Sequence, residues 1–210
     1  MLTLSSRLLV VTDRHQTNGR PLVPLLQRVL TAGIAAIQLR ERDLSIRELL
    51  TLAREVQAVT ASYRSQLLIN DRIDVALALD GVGVHLRSNS LPVSVARQLL
   101  GGQRLLGISV HTIEEAVQAE SQGADYIILG PIYETPSKQM FGPPLGIHVL
   151  ENACGLVRIP IIGIGGVTAV RAREMRRAGA FGAAVITSIL GATEVESATR
   201  ELLEAVTAVP

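Results

Sequence analysis

Thr135, Ser137 and Lys138 lie in the loop GPIYETPSK (130–138), just past the apolar run Tyr126-Ile127-Ile128-Leu129. Hydroxyls, a lysine and exposed backbone N–H groups beyond a strand end suit a phosphate or another anion. An ordinary polar connection between prolines and glycines is the plainer reading. Gly165 and Gly166 stand in GIGGVT (163–168), where a strand runs into glycines and then a helix. Without Cβ atoms the backbone N–H groups can approach a phosphate, and a helix N-terminus adds positive potential; a tight turn alone is the alternative. Gln38, Arg40 and Arg42 alternate in QLRER (38–42), and two cations there could hold a polyphosphate. Surface arginines paired to Glu41 or Asp43 are the competing picture. Asp71, beside Asn70, could hold a magnesium ion shared with phosphates, or it could cap a short helix. His111, just before Thr112, is either a site residue or a solvated loop histidine, and His85 reads the same way. His15 and His148 read as surface residues.

These groups need a scaffold, and the apolar runs supply one. Strands are expected over Leu8–Thr12, Ala35–Leu39, Gln66–Ile69, Gly83–Leu86, Leu105–Val110, Tyr126–Leu129, Ile161–Ile164 and Ala183–Ile186. Most are continuous apolar runs, the mark of strands buried on both faces. Helices are expected between them. In Ser45–Ser62, Leu49, Leu52, Ala53 and Val56 share a face, and Ser45 with Glu48 forms a capping pair. Thr112–Gln122 repeats the device with Glu115, a short helix fits Ile73–Leu79, and Ala169–Arg177 and Glu194–Val209 complete the set. Glycine ends three helices at Gly33, Gly123 and Gly179.

Eight strands alternating with about eight helices, without a linker, predict a single-domain (β/α)₈ TIM barrel over 1–210. A doubly wound open sheet is the rival, weakened because no Gly-x-Gly-x-x-Gly follows the first strand. Polar groups gather at the C-terminal strand ends, where barrels keep their chemistry. They are Asp13, Arg14 and His15; Gln38, Arg40 and Arg42; Asn70 and Asp71; His85 and Arg87; Ser109 and His111; Thr135, Ser137 and Lys138; Gly165 and Gly166; Thr187 and Ser188. The opposite ends offer mostly glycine, alanine and charge.

Composition narrows the partners. With 20 basic against 19 acidic residues, net charge is +1, which points to neither a nucleic-acid nor a membrane surface. No window reaches the roughly 18 apolar residues of a spanning helix, and MLTLSSRLLVVTD lacks the basic region of a signal peptide, so the expected location is the cytoplasm. The single cysteine, Cys154, sits in an apolar helical context and reads as core. A homo-oligomer stays open.

QLRER (38–42), LINDR (68–72), GVHL (83–86), GISVHTIEEA (107–116), GPIYETPSK (130–138), PPLG (143–146), GIGGVT (163–168) and AVITSIL (184–190) together resemble the thiamine phosphate synthase family and its sister group, the TenI-type thiazole tautomerases. The resemblance runs in order over nearly the whole chain. It implies a TIM barrel and a transferase of thiamine biosynthesis. Such an enzyme joins hydroxymethylpyrimidine diphosphate to thiazole phosphate, with Mg2+ on the diphosphate. It implies that Gln38, Arg40, Arg42, Asn70, Ser109 and Lys138 hold the pyrimidine diphosphate and that Asp71 binds magnesium. Thr135, Ser137, Gly165 or Gly166, Ile186 and Thr187 would hold the thiazole phosphate. Lys138, Ser109 and His111 are the residues expected at the chemistry.

There are departures. The family usually has lysine at Arg42. Its segment HLGQED-P, with a second magnesium aspartate, reads HLRSNSLP here, so Ser90 stands at the aspartate position. The histidine that some tautomerases carry after the strand-six glycine is Pro131. A tautomerase aromatising a carboxylated thiazole phosphate, with His111 or Glu134 as acid or base, is one alternative. A non-catalytic binder of thiazole or thiamine phosphate is another.

Overall fold

The computed structural model describes residues 3–135 and 143–208. Eight parallel strands close on themselves: β1 (Leu8–Val11), β2 (Ala36–Leu39), β3 (Gln66–Asn70), β4 (Gly83–Leu86), β5 (Leu106–Val110), β6 (Tyr126–Leu129), β7 (Ile161–Ile164) and β8 (Gly182–Val185). Closure comes from β1 pairing with β8, Leu8 opposite Ala183 and Val10 opposite Val185. That pairing excludes the open sheet. Strand ends differ from the expected ones by one residue: Thr12, Ala35, Leu105 and Ile186 fall outside, while Asn70 and Gly182 fall inside.

Around the strands lie α1 (Leu22–Thr31), α2 (Ile46–Ser62), α3 (Ile73–Leu77), α4 (Val93–Leu100), α5 (Ile113–Ser121), α6 (Ile147–Leu156) and α7 (Ala169–Arg177). Two helices follow β8: α8 (Thr187–Leu190) and α9 (Val195–Thr207). Ser45 accepts from the Glu48 N–H, and the Glu48 carboxylate returns to the Ser45 N–H, so the capping box forms. Thr112 caps α5 in the same way, but Glu115 reaches back one residue further, to the His111 N–H at 2.6 Å. α3 stops at Leu77, two residues early, and its cap position is Arg72, so Asp71 caps nothing. Gly33, Gly123 and Gly179 follow helices with φ of 106°, 95° and 92°, the left-handed conformation that frees the chain to turn into the next strand.

Strand residues alternate between two apolar layers. Leu8, Val10, Ile127, Leu129 and Ile161 pack with helix residues on the outside. Leu9, Val11, Ala36, Leu68, Tyr126, Ile128, Ile162 and Ala184 form a separate cluster with no helix residues, which is the barrel interior. Cys154 is partly buried against the outer layer, and burial pushes its thiol up to about 11, as expected of an inert packing residue. Among the described residues, no helix is long and apolar enough to cross a membrane.

One aromatic ring dominates the interior. Tyr126 is fully buried, and its strand partner across the ladder is Gly107. A Cβ on Gly107 would lie 2.1 Å from the Tyr126 ring, so the glycine is the space the ring occupies. The Tyr126 hydroxyl bonds His85 Nδ1 at 2.9 Å, and His85 Nε2 bonds Ser109 Oγ at 2.8 Å. His85 is therefore neither a solvated loop residue nor a rim residue: it is 1% exposed inside the barrel. Desolvation drives its pKa down to about 3, which keeps the ring neutral.

Two outcomes follow for stability. Gly107→Ala should cost roughly 3 kcal/mol or more in urea unfolding, since overpacked cores cannot relax freely, and Gly107→Ala/Tyr126→Leu should regain part of it. For His85, the folded-state pKa lies below the unfolded value, so the unfolded chain binds the proton first. Stability is full above the unfolded pKa of about 6.5 and falls by about 1.4 kcal/mol per pH unit toward pH 3. Urea midpoints between pH 7.5 and 4.5 should show this slope in the native chain and lose that component in His85→Gln.

Candidate active site

The C-terminal rim begins with the charges that merely hold it together. Glu41 is buried at 4% exposure and accepts from Thr12 Oγ1 at 2.6 Å, from the Arg14 backbone at 3.1 Å and from its guanidinium at 3.2 Å. Arg14 also grips Asp43 through both terminal nitrogens, at 2.7 and 2.6 Å. Thr12 Oγ1 in turn accepts from the Arg40 N–H at 2.9 Å. This web ties the loop after β1 to the loop after β2. It also consumes the acids that could have paired Arg40 and Arg42.

Those two arginines are consequently left for something else. Arg42 is exposed and makes no ion pair with a described residue. Arg40 is half-buried, and among the described residues its one ion pair is with Asp13, at 3.9 Å. Burial pushes the Arg40 guanidinium down, and the positive charges of Arg42 and Arg87 add to the effect. Beneath them Gln38 is 2% exposed, pointing into the barrel, and its Nε2 has no hydrogen-bond partner among the described residues. Asn70 is buried on the next strand.

Asp71 occupies a costly conformation. Its φ is +64°, in the left-handed region that non-glycine residues enter rarely and Asp more readily than most. The fold holds it there by an Asp71 N–H bond to the His85 carbonyl at 2.8 Å. Arg87 Nε donates to its Oδ2 at 2.7 Å, and Nη2 approaches the same oxygen. Burial raises this carboxyl's pKa, but the Ser90 hydroxyl and the Arg87 guanidinium outweigh it and hold the group below the ordinary carboxylate range. Oδ1 is buried and has no hydrogen-bond partner among the described residues.

Asp71 is the residue the resemblance assigns to magnesium. Its one engaged oxygen already faces a guanidinium, and Ser90 offers a hydroxyl where a second carboxylate is expected. Among the described residues no group of three or more His, Cys, Asp or Glu side chains could hold a metal. One carboxylate, Asp71, stands where the resemblance implies two, with Ser90 at the other position.

On the far side of the mouth, Gly165 and Gly166 have φ of 101° and 60°. Side chains there would strike Pro131 at 2.7 Å and the Glu134 carbonyl at 2.4 Å. The glycines thus let the loop after β6 fold down onto β7, fixed by the Ile132 N–H to Ile164 carbonyl bond at 2.8 Å. Tyr133, unremarked in the sequence, anchors that loop to α7: its hydroxyl donates to Glu174 at 2.7 Å and its ring carries the Arg171 guanidinium at 4.7 Å. Thr135 is half-buried next to this contact, whereas Ser137 and Lys138 lie outside the described residues. Ile186 packs against the interior, Thr187 Oγ1 points toward Gln16 at 3.4 Å, and Ser188 donates to the Val167 carbonyl. His111 sits at the rim with Nδ1 on the Gly130 carbonyl at 2.5 Å. Ser109, through His85, connects the rim to the interior.

The described rim therefore brings together Gln38, Arg40, Arg42, Asn70 and Asp71 from β2 and β3, Ser109 and His111 from β5, and the glycine pair with Thr187 from β7 and β8. Sequence reasoning left Arg87 without a role. Its signal was position, directly after β4 beside the Asp71 strand.

A sequence profile described as thiamine monophosphate synthase matches residues 8–189, from β1 into α8. A thiamine-phosphate synthase of Moorella thermoacetica is 42% identical over 200 residues, covering 95% of this chain and 95% of that protein. One from Roseiflexus castenholzii is 41% identical over 195 residues, covering 93% and 86%. Among solved structures, thiamine phosphate pyrophosphorylase from Pyrococcus furiosus matches with a TM-score of 0.86 at 34% identity, covering 95% of each chain. A closed eight-stranded barrel, a polar C-terminal rim and full-length likeness to these proteins agree: the chain belongs to the thiamine monophosphate synthase (TMP-TENI) family.

Proposed function

We propose that this chain joins hydroxymethylpyrimidine diphosphate to thiazole phosphate, releasing thiamine phosphate and diphosphate. The reading rests on two sets of residues suited to anions that share the C-terminal mouth of one barrel. Arg40, with a 3.9 Å contact to Asp13, and Arg42, whose neighbours Glu41 and Asp43 turn to Arg14, form one set. The left-handed glycines Gly165 and Gly166, beside Thr187, form the other.

The chemistry asks for little beyond charge and position. The bond from the pyrimidine methylene carbon to the diphosphate oxygen breaks, and both electrons leave on oxygen. The thiazole nitrogen then gives its lone pair to that carbon, and no proton is needed for the balance. Arg40 and Arg42, with Lys138 from the loop, meet the charge that develops on the departing diphosphate. Gln38 Nε2, without a hydrogen-bond partner among the described residues, Asn70 and the Ser109 hydroxyl are donors and acceptors suited to a pyrimidine edge. Gly165, Gly166, Thr135, Ser137, Ile186 and Thr187 hold the second phosphate. The apolar interior below keeps water from capturing the cation. A cytoplasmic location and phosphorylated small-molecule substrates belong to the same reading.

The test is formation of thiamine phosphate from the two phosphorylated halves. Arg40→Ala and Lys138→Ala should each lower kcat/KM by roughly 10- to 100-fold, the weight of one charge-assisted hydrogen bond of about 1.5–3 kcal/mol. No product at high enzyme concentration, with faster aromatisation of the carboxylated thiazole phosphate, would move the chain to the tautomerase branch.

A further inference from the structure

We propose that Arg87 is a diphosphate-binding residue, its guanidinium held out by Asp71 so that a fixed side-chain cation supplies charge that a divalent metal would otherwise bring. This deepens the transferase reading and rests on it for the identity of the anion.

The geometry supports it in three ways. Arg87 directs Nε and Nη2 at a single oxygen of Asp71, so Nη1 makes no hydrogen bond with a described residue and stays available to a ligand. A guanidinium gripped on one edge is oriented on the other, which lowers the entropy lost when an anion binds. Second, β3 and β4 are neighbours with Asn70 opposite His85, and β2 lies on the other side of β3 with Leu39 opposite Ile69. Arg40, Asp71 and Arg87 therefore leave three successive strands at the same end of the barrel. Third, the left-handed backbone at Asp71 places its carboxylate at this corner, and its Oδ1 has no hydrogen-bond partner among the described residues.

The local sequence carries matching charge. HLRSNSLP (85–92) holds one arginine and no acid, so this corner offers a cation and no second carboxylate for a dication. The guanidinium presents a planar fork to phosphate oxygens, which a hydrated metal does not.

Inorganic pyrophosphate is the probe. Calorimetric titration of the full native chain in excess EDTA should show binding, and Arg87→Gly should weaken it at least tenfold. Arg87→Lys should fall between, since it keeps the charge without the fork. In Arg87→Gly/Ser90→Asp, binding should return only when magnesium is added. In kinetics, Arg87→Gly should raise KM for the pyrimidine diphosphate and leave KM for thiazole phosphate unchanged. Absence of pyrophosphate binding to the native chain in EDTA, with binding on adding magnesium, would overturn the proposal without reference to any variant. So would equal affinity in native and Arg87→Gly. Pyrophosphate binding that depends on Arg87 in a chain that makes no thiamine phosphate would keep the anion site and remove the transferase reading.

Discussion

A closed barrel must fill its own interior, and here the largest fully buried side chain is one tyrosine. The ring of Tyr126 lies where a side chain on Gly107 would be. The two residues face each other across the β5–β6 ladder, so the large residue and the missing one are set by a single register. The other buried members of the interior cluster, from Leu4 to Ala184, are aliphatic. Everything above depends on this plug. Because the hydroxyl end of Tyr126 points toward the rim, the layer over it can be polar without leaving that hydroxyl unsatisfied.

The rim then separates two kinds of charge. Glu41, Asp43 and Arg14 are structural: they are paired to each other and they fasten adjacent loops. Arg40, Arg42 and Arg87 share no such closed web, apart from the Asp71 contact of Arg87 and the distant Asp13 near Arg40. Glu41 and Asp43 both spend themselves on Arg14, which leaves Arg40 and Arg42 without either of them as a partner in a chain whose total charge is only +1. The neutral overall balance and the cationic corner are compatible because charge is sorted by position, not by amount.

Much of this was readable from the chain. Continuous aliphatic runs located every strand to within a residue, because strands buried on both faces leave no ambiguity of period. Ser45 with Glu48 located a helix start, since a capping box is a contact between residues three apart. What escaped were contacts between strands. His85 looked like any polar residue near a strand end, and only the register against β5 and β6 shows that it lies under Ser109 and over Tyr126. Asp71 looked like a helix cap or a metal ligand, and its partner Arg87 is sixteen positions away on the next strand. Glu41 looked like a partner for its arginine neighbours, yet it turns to Thr12 and Arg14 across the ladder. Side-chain direction at a strand end depends on one residue of phase, which local patterns do not fix.

The chain of bonds from Tyr126 through His85 to Ser109 has a property that neither end has alone. A neutral imidazole carries one proton on one of two nitrogens, so the whole chain can run in only two senses. If Tyr126 donates, His85 donates to Ser109, and the serine proton is free to be given to a ligand at the mouth. If the sense is reversed, Ser109 spends its proton inward and can only receive. A ligand at the mouth thus meets Ser109 as donor or acceptor according to the tautomer of a histidine that is 1% exposed.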